Sequence, residues 1–172
     1  SSSIFGNHVS HDPRSRSLTP EQRKEIVSEW EDGWSRDPKN GHTTHLLLSF
    51  PANVEAKRAL VVAEAWAAEM FQSGEHVQDE WAYVAALHTD RAHPHVHIVV
   101  NNRGIENGTW FYMAKGHAFD LDMMKGRMVD LAAEQGLYLD HSSRVDRGIL
   151  TYGPSRVELE RALREGREVE ER

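Results

Sequence analysis

Four histidines fall within ten residues, His88-Thr89-Asp90-Arg91-Ala92-His93-Pro94-His95-Val96-His97, and a neutral imidazole can ligate a metal ion through either ring nitrogen. With 11 histidines and no cysteine in the chain, any metal here is held by nitrogen and oxygen, and a thiolate site is excluded. A β-strand places residues i and i+2 on one face, so His95 and His97 project together while Val96 turns toward the core. If the strand ending at His88 and the strand beginning at His95 form a hairpin through residues 89–94, His88 stands opposite or nearly opposite His95, with Cβ atoms about 5 Å apart. Three imidazoles then converge from one hairpin and leave other coordination positions open, the arrangement of a catalytic ion rather than a closed structural one. Asp90 and Asn101 flank them as supports that can orient a ligating ring. His93, ahead of Pro94, falls in the turn. Nitrogen ligation suits zinc, manganese, iron, cobalt, nickel or copper alike, and such an ion could polarise a carbonyl, a phosphate or a water.

The elements that must position these residues are legible from periodicity and punctuation. Thr19-Pro20-Glu21-Gln22 is a helix start, with a capping threonine, proline at the first helical position and glutamine three residues after the cap. Ile26, Val27, Trp30 and Trp34 continue an apolar stripe that ends at Gly33 and the Asp37-Pro38-Lys39-Asn40-Gly41 breaker. His42–Phe50 reads as a buried strand. Asn53 is placed to cap a second helix that buries Leu60, Ala63, Ala67, Met70 and Phe71 and closes at Ser73-Gly74. Trp81–His88 and His95–Asn102 alternate with the period of strands. Asn107-Gly108 marks a tight turn before a short strand, Thr109–Tyr112, and Asp120–Gln135 reads as a third helix with Leu121, Met124, Met128 and Leu131 inward. Helices over an antiparallel sheet make an α+β domain.

Length supports one domain, residues 1–154, followed by a charged, solvated helix over 155–172 in which five arginines alternate with six glutamates. A net charge of -7 argues against a wide basic face that coats nucleic acid, although a local basic groove is compatible with it. Mean hydropathy is -0.62, no window approaches the roughly 18 apolar residues of a membrane span, and the absence of cysteine fits the cytoplasm. Ser1–His8 has neither an initiator methionine nor the pattern of a signal peptide, which suggests a fragment.

His88-x-Asp90-(x4)-His95-x-His97, with Pro94 and Asn101, resembles the third motif of relaxases, the mobilisation nucleases of bacterial conjugation. Thr43-Thr44-His45-Leu46-Leu47-Leu48-Ser49-Phe50-Pro51, Glu64–Phe71 and Ala92–Asn101 are similar to the border-nicking relaxases of T-DNA transfer, and the likeness runs from about Leu18 to Arg164. It implies a central antiparallel sheet with the histidine pair on a middle strand and helices on its faces. It also implies one bound divalent ion, Mg²⁺ or Mn²⁺, held by His88, His95 and His97, with Asp90 as a supporting carboxylate. The substrate implied is single-stranded DNA at an origin of transfer, attacked by a tyrosine, with accessory relaxosome proteins and a type IV secretion coupling protein as partners. In relatives that tyrosine precedes the first capped helix, and this chain has no tyrosine before Tyr83. The nucleophile is therefore expected upstream of Ser1, the first strand of the sheet is expected to be missing with it, and the fragment is expected not to nick by itself. Single-strand binding needs cations and stacking rings; the candidates are Arg91, Arg103 and Lys115 with Trp110 and Phe111. Two rival readings stand beside this one. Tyr112-x-x-Lys115 has the spacing of a rolling-circle initiator or transposase-type nuclease, and a non-catalytic single-stranded DNA-binding or metal-binding module would keep the hairpin without the chemistry.

Overall fold

The computed structural model describes residues 2–7, 20–32, 42–89, 93–140 and 143–147. Their elements run β1 (Ser2–Phe5), α1 (Pro20–Asp32), β2 (Thr43–Ser49), α2 (Ala56–Phe71), β3 (Tyr83–His88), β4 (His95–Asn101), α3 (Leu121–Glu134) and β5 (Arg144–Arg147). The five strands form one antiparallel sheet in the order β1-β3-β4-β2-β5, so the strand with the His-x-His pair is the central one. This is the α+β architecture expected from the sequence.

Period-2 alternation sends each strand's side chains to two different cores. Leu46 and Leu48, Tyr83, Ala85 and Leu87, and Val96, Ile98 and Val100 pack beneath α2 and α3 with Trp66, Met70, Phe71, Met124 and Met128. The opposite face is covered by α1, whose Ile26, Val27 and Trp30 meet Ile4, Ala82, Val84, Ala86 and Val99. Each large side chain removed from water this way contributes about 1.5–3 kcal/mol. The α2–α3 side is the larger core. There Trp66, fully buried, donates Nε1–H to the Met124 carbonyl at 2.8 Å and so ties the two helices together. Trp66→Phe keeps most of the ring's volume and loses that bond, so chemical denaturation should find the domain less stable by about 1–3 kcal/mol.

Several local expectations are corrected. A strand does precede α1: β1 pairs with β3 along an edge of the sheet. Asn53 does not cap α2, because Pro51–Val54 closes a turn of its own (Val54 N–H to the Pro51 carbonyl, 3.0 Å) and Glu55 becomes the cap residue without a side-chain hydrogen bond. Asp120 does cap α3, accepting from the Met123 amide at 2.6 Å, but Leu121 stays exposed and the inward stripe is Met124, Met128 and Ala132. Thr109–Tyr112 forms only an isolated bridge, Arg103 with Trp110, because Asp79 shapes the preceding loop differently. Trp34, Tyr152 and the 155–172 segment lie outside the described residues.

Candidate active site

The β3–β4 hairpin has the register the spacing suggested: His88 is directly opposite His95, and His97 is opposite Ala86. The row through His95 crosses the whole sheet as Ser2, His88, His95, Ser49 and Arg144, one residue from each strand. The adjacent row on the same face is Ile4, Ala86, His97, Leu47 and Asp146. His88 is buried while His95 and His97 are half-buried. The His88 and His97 rings meet edge to face with centroids 5.0 Å apart, so imidazoles from neighbouring strands share one small volume. Nε2 of His88 and Nδ1 of His95 are buried and make no hydrogen bond among the described residues. A neutral nitrogen donor set of this kind suits a divalent ion.

Two residues of this face were not singled out by spacing. His45 on β2 lies opposite Val99, one step from His97, and its pKa is lowered to about 4 by burial and by the neighbouring His97; it is uncharged at neutral pH. Ser49 stands directly across from His95, buried, its hydroxyl without a hydrogen-bond partner among the described residues. Both belong to a segment that reads simply as a buried strand. Their signal was the parity of β2: with Leu46 and Leu48 committed to the core, His45 and Ser49 must face the other way.

The remaining candidates are distributed differently. Asp90 and Arg91 lie outside the described residues, and His93 is exposed. β4 runs away from His95, so Arg103 and Trp110 sit past its far end, about 20 Å along the strand from His95. There Trp110 is part-exposed and Phe111 is core, packed on Phe71, Trp81 and Phe119. Asn101 shares the histidine face, but its Oδ1 accepts from the Arg103 amide at 3.2 Å, a turn-forming contact at that same far end. Lys115 lines a pocket of about 360 Å³ with Met113, Ala114, Asp120, Leu121 and Asp122.

The loop that presents Arg103 and Trp110 is wrapped around Asp79. This buried carboxylate accepts from the amides of Glu80 (2.8 Å), Glu106 (2.9 Å), Asn107 (3.3 Å) and Thr109 (2.9 Å). Burial alone would raise the Asp79 pKa, but these backbone donors outweigh it and hold the carboxyl below its usual range.

A second cluster, Glu69, Glu75 and His76, brings its ligand atoms within 4.8 Å of one another. Its central carboxylate is already engaged: Arg127 donates to Glu69 through Nε at 2.8 Å and Nη2 at 2.7 Å, and His76 Nε2 shares a hydrogen bond with it at 2.9 Å. The Arg127 hydrogen bonds, ahead of His76, hold Glu69 below the usual carboxylate range against the opposing effect of burial. A guanidinium in this position supplies the positive charge an ion would bring, so the cluster acts as a staple between α2 and α3.

Comparison with known proteins places these features in a family. Residues 6–137 match the family described as "Relaxase: MobA/VirD2-like, nuclease domain". The T-DNA border endonuclease VirD2 of Rhizobium radiobacter is 33% identical over 152 residues, covering 81% of this chain and 36% of that protein. The protein of the same name from Rhizobium rhizogenes is 32% identical over 161 residues, covering 88% of this chain and 37% of the relative. That of Agrobacterium fabrum is 33% identical over 159 residues, 84% and 35%. The chain thus spans little more than a third of these relatives' length. No solved structure matches it at significant similarity, and no helix among the described residues is long and apolar enough to cross a membrane. With a family match over most of its length and a histidine hairpin on the central strand, the chain belongs to the MobA/VirD2-like relaxases and carries their nuclease domain.

Proposed function

We propose that this domain nicks one DNA strand at an origin of transfer and keeps the 5′ end on a tyrosine. His88, His95 and His97 hold one Mg²⁺ or Mn²⁺ ion, and Asp90 orients one of the three rings. When bound, the ion aligns the scissile phosphate and offsets the charge that develops on its oxygens. The tyrosine oxygen forms a P–O bond as the bond to the 3′ oxygen breaks, and the proton lost by the phenol balances the one gained by the 3′-hydroxyl. One ester replaces another, so resealing after transfer needs no further energy source. Accessory relaxosome proteins and a secretion coupling protein are the partners this reading calls for, in the cytoplasm.

The observation that carries the reading is the His88–His95 row on the central strands. The positions of Tyr83 and Tyr112 weigh against either as the nucleophile, in keeping with one ahead of β1. Tyr83 faces the opposite core, its hydroxyl 3.1 Å from Gln72 Oε1, and burial, ahead of Glu64 and Glu80, pushes its phenol well above the usual range. Tyr112 is exposed beyond the far end of β4, packed on His117, a position that weighs against the initiator reading. β1 starts opposite His88, so a tyrosine preceding it reaches the histidine end of the sheet.

The test is covalent capture. The parent protein, given Mn²⁺ and a 5′-extended labelled oligonucleotide carrying its origin, should form a denaturation-resistant adduct that disappears when the upstream tyrosine is changed to phenylalanine and persists in Tyr112→Phe. Loss in Tyr112→Phe would favour the initiator mechanism, and no adduct with every tyrosine intact would favour a binding module.

A further inference from the structure

We propose that Arg144 is a phosphodiester-binding residue for a single DNA strand laid across the sheet from the histidine row toward β5, with Asp146 as the carboxylate that Arg144 exchanges for DNA. The inference rests on the nuclease reading above and adds the direction in which the substrate lies.

Pairing register fixes the placement. Ser49 is directly opposite both His95 and Arg144, so the three lie in one row on one face, and two strand spacings, about 10 Å, separate the His95 and Arg144 backbones. Val145, between Arg144 and Asp146, is buried in the α2–α3 core, which confirms that its two neighbours point to the histidine side. The row therefore offers, in order, imidazoles, the buried Ser49 hydroxyl and a guanidinium. With the Ser49 hydroxyl buried beneath the row, the exposed Arg144 guanidinium is the group in line with the site of the scissile phosphate that can meet a neighbouring phosphate of the same strand. A guanidinium fork also matches phosphate geometry better than an ammonium does.

Arg144 is held by a partner that is readily exchanged. Its Nε lies 3.3 Å from Asp146 Oδ2, with side chains 61% and 47% exposed. A pair this open contributes little to stability. A phosphate approaching along the row meets attraction from Arg144 and repulsion from Asp146, so the two residues have opposite effects on affinity. For a chain with a net charge of -7, a short cationic position beside the site is also a means of drawing in DNA without a broad basic face.

The test uses fluorescence anisotropy of a labelled oligothymidine with the full chain across a salt series. Arg144→Gln should weaken binding roughly three- to tenfold and reduce the slope of log affinity against log salt by about 0.7, the value for one phosphate contact on a single strand. Asp146→Asn should tighten binding. Arg144→Gln binding like the wild type at every salt concentration, or Asp146→Asn weakening it, overturns the inference. Mn²⁺ titration of the same samples separates the two readings. If His95→Ala still binds Mn²⁺ like the wild type, the nuclease reading fails and takes this inference with it; if His95→Ala loses Mn²⁺ while Arg144→Gln changes nothing, only the Arg144 inference fails.

Discussion

Replacing His95 or His97 with alanine should remove the bound divalent ion and, in the parent protein, strand nicking, while the far-ultraviolet circular dichroism of the domain stays unchanged. Each substitution deletes one of the three nitrogens proposed to hold the ion. Even a residue that merely supports a ligand is typically worth 10–100-fold in metal affinity, so loss of a ligand should exceed about 100-fold. The fold should survive because both side chains are half-buried at the edge of the cover provided by α1, and alanine on a strand costs at most about 1 kcal/mol relative to better strand formers. Calorimetric titration with Mn²⁺ reads the effect directly, and wild-type metal content in either variant would refute the assignment. Glu69→Gln is the control: it disturbs the Arg127 staple and should leave Mn²⁺ affinity where it was, which distinguishes the histidine hairpin from the acidic cluster on α2.

The second large effect is expected at Gly104. A Cβ built there would lie 2.0 Å from Asp79 Oδ2 and 2.4 Å from its Cγ. Neither side can yield cheaply, because that carboxylate is fixed by the amides of four residues and Gly104 itself donates to the Thr109 carbonyl at 2.8 Å. Gly104→Ala should therefore cost about 3 kcal/mol or more, combining overpacking with lost charge-assisted hydrogen bonds, and lower the melting temperature by roughly 6–12 °C. The cause is crowding, so the effect should be strongly non-additive: in an Asp79→Ala background, Gly104→Ala should cost almost nothing. Equal costs in both backgrounds would disprove the crowding account. Because the folded-state pKa of Asp79 is depressed, its contribution is fully present above the unfolded aspartate value of about 3.9 and is lost as pH falls through the folded value. The stability difference between wild type and Asp79→Asn should accordingly narrow in acid.

Much of this could be read from the residues. The register of the hairpin followed from two alternating strands of known ends, and the central position of β4 agreed with the family resemblance. α1, α2 and α3 were anchored by apolar stripes. What escaped notice did so for physical reasons. β1 and β5 are four-residue edge strands, one serine-rich and one charged, and their pairing depends on partners far along the chain rather than on local propensity. Asn53 looked like a cap because the turn at Pro51 competes for the same residues. Arg103 and Trp110, near the hairpin in sequence, are separated from it in space because β4 carries the chain the full depth of the sheet before the Asp79 loop begins. His45 and Ser49 were hidden by their neighbours: in a run as apolar as Leu46-Leu47-Leu48, burial is evident and facing is not.

The row from Ser2 to Arg144 also has a kinetic reading. His88 and His95 come together across the shortest connection in the sheet, whereas Ser2 meets His88 and Arg144 meets Ser49 only after more than eighty intervening residues have been gathered in. Loop-closure entropy favours the short connection first and the long ones last. The nascent chain would thus bring its paired histidines together before the flanking serine and arginine of the same row, so a half-folded molecule would hold the centre of the row without its two edges.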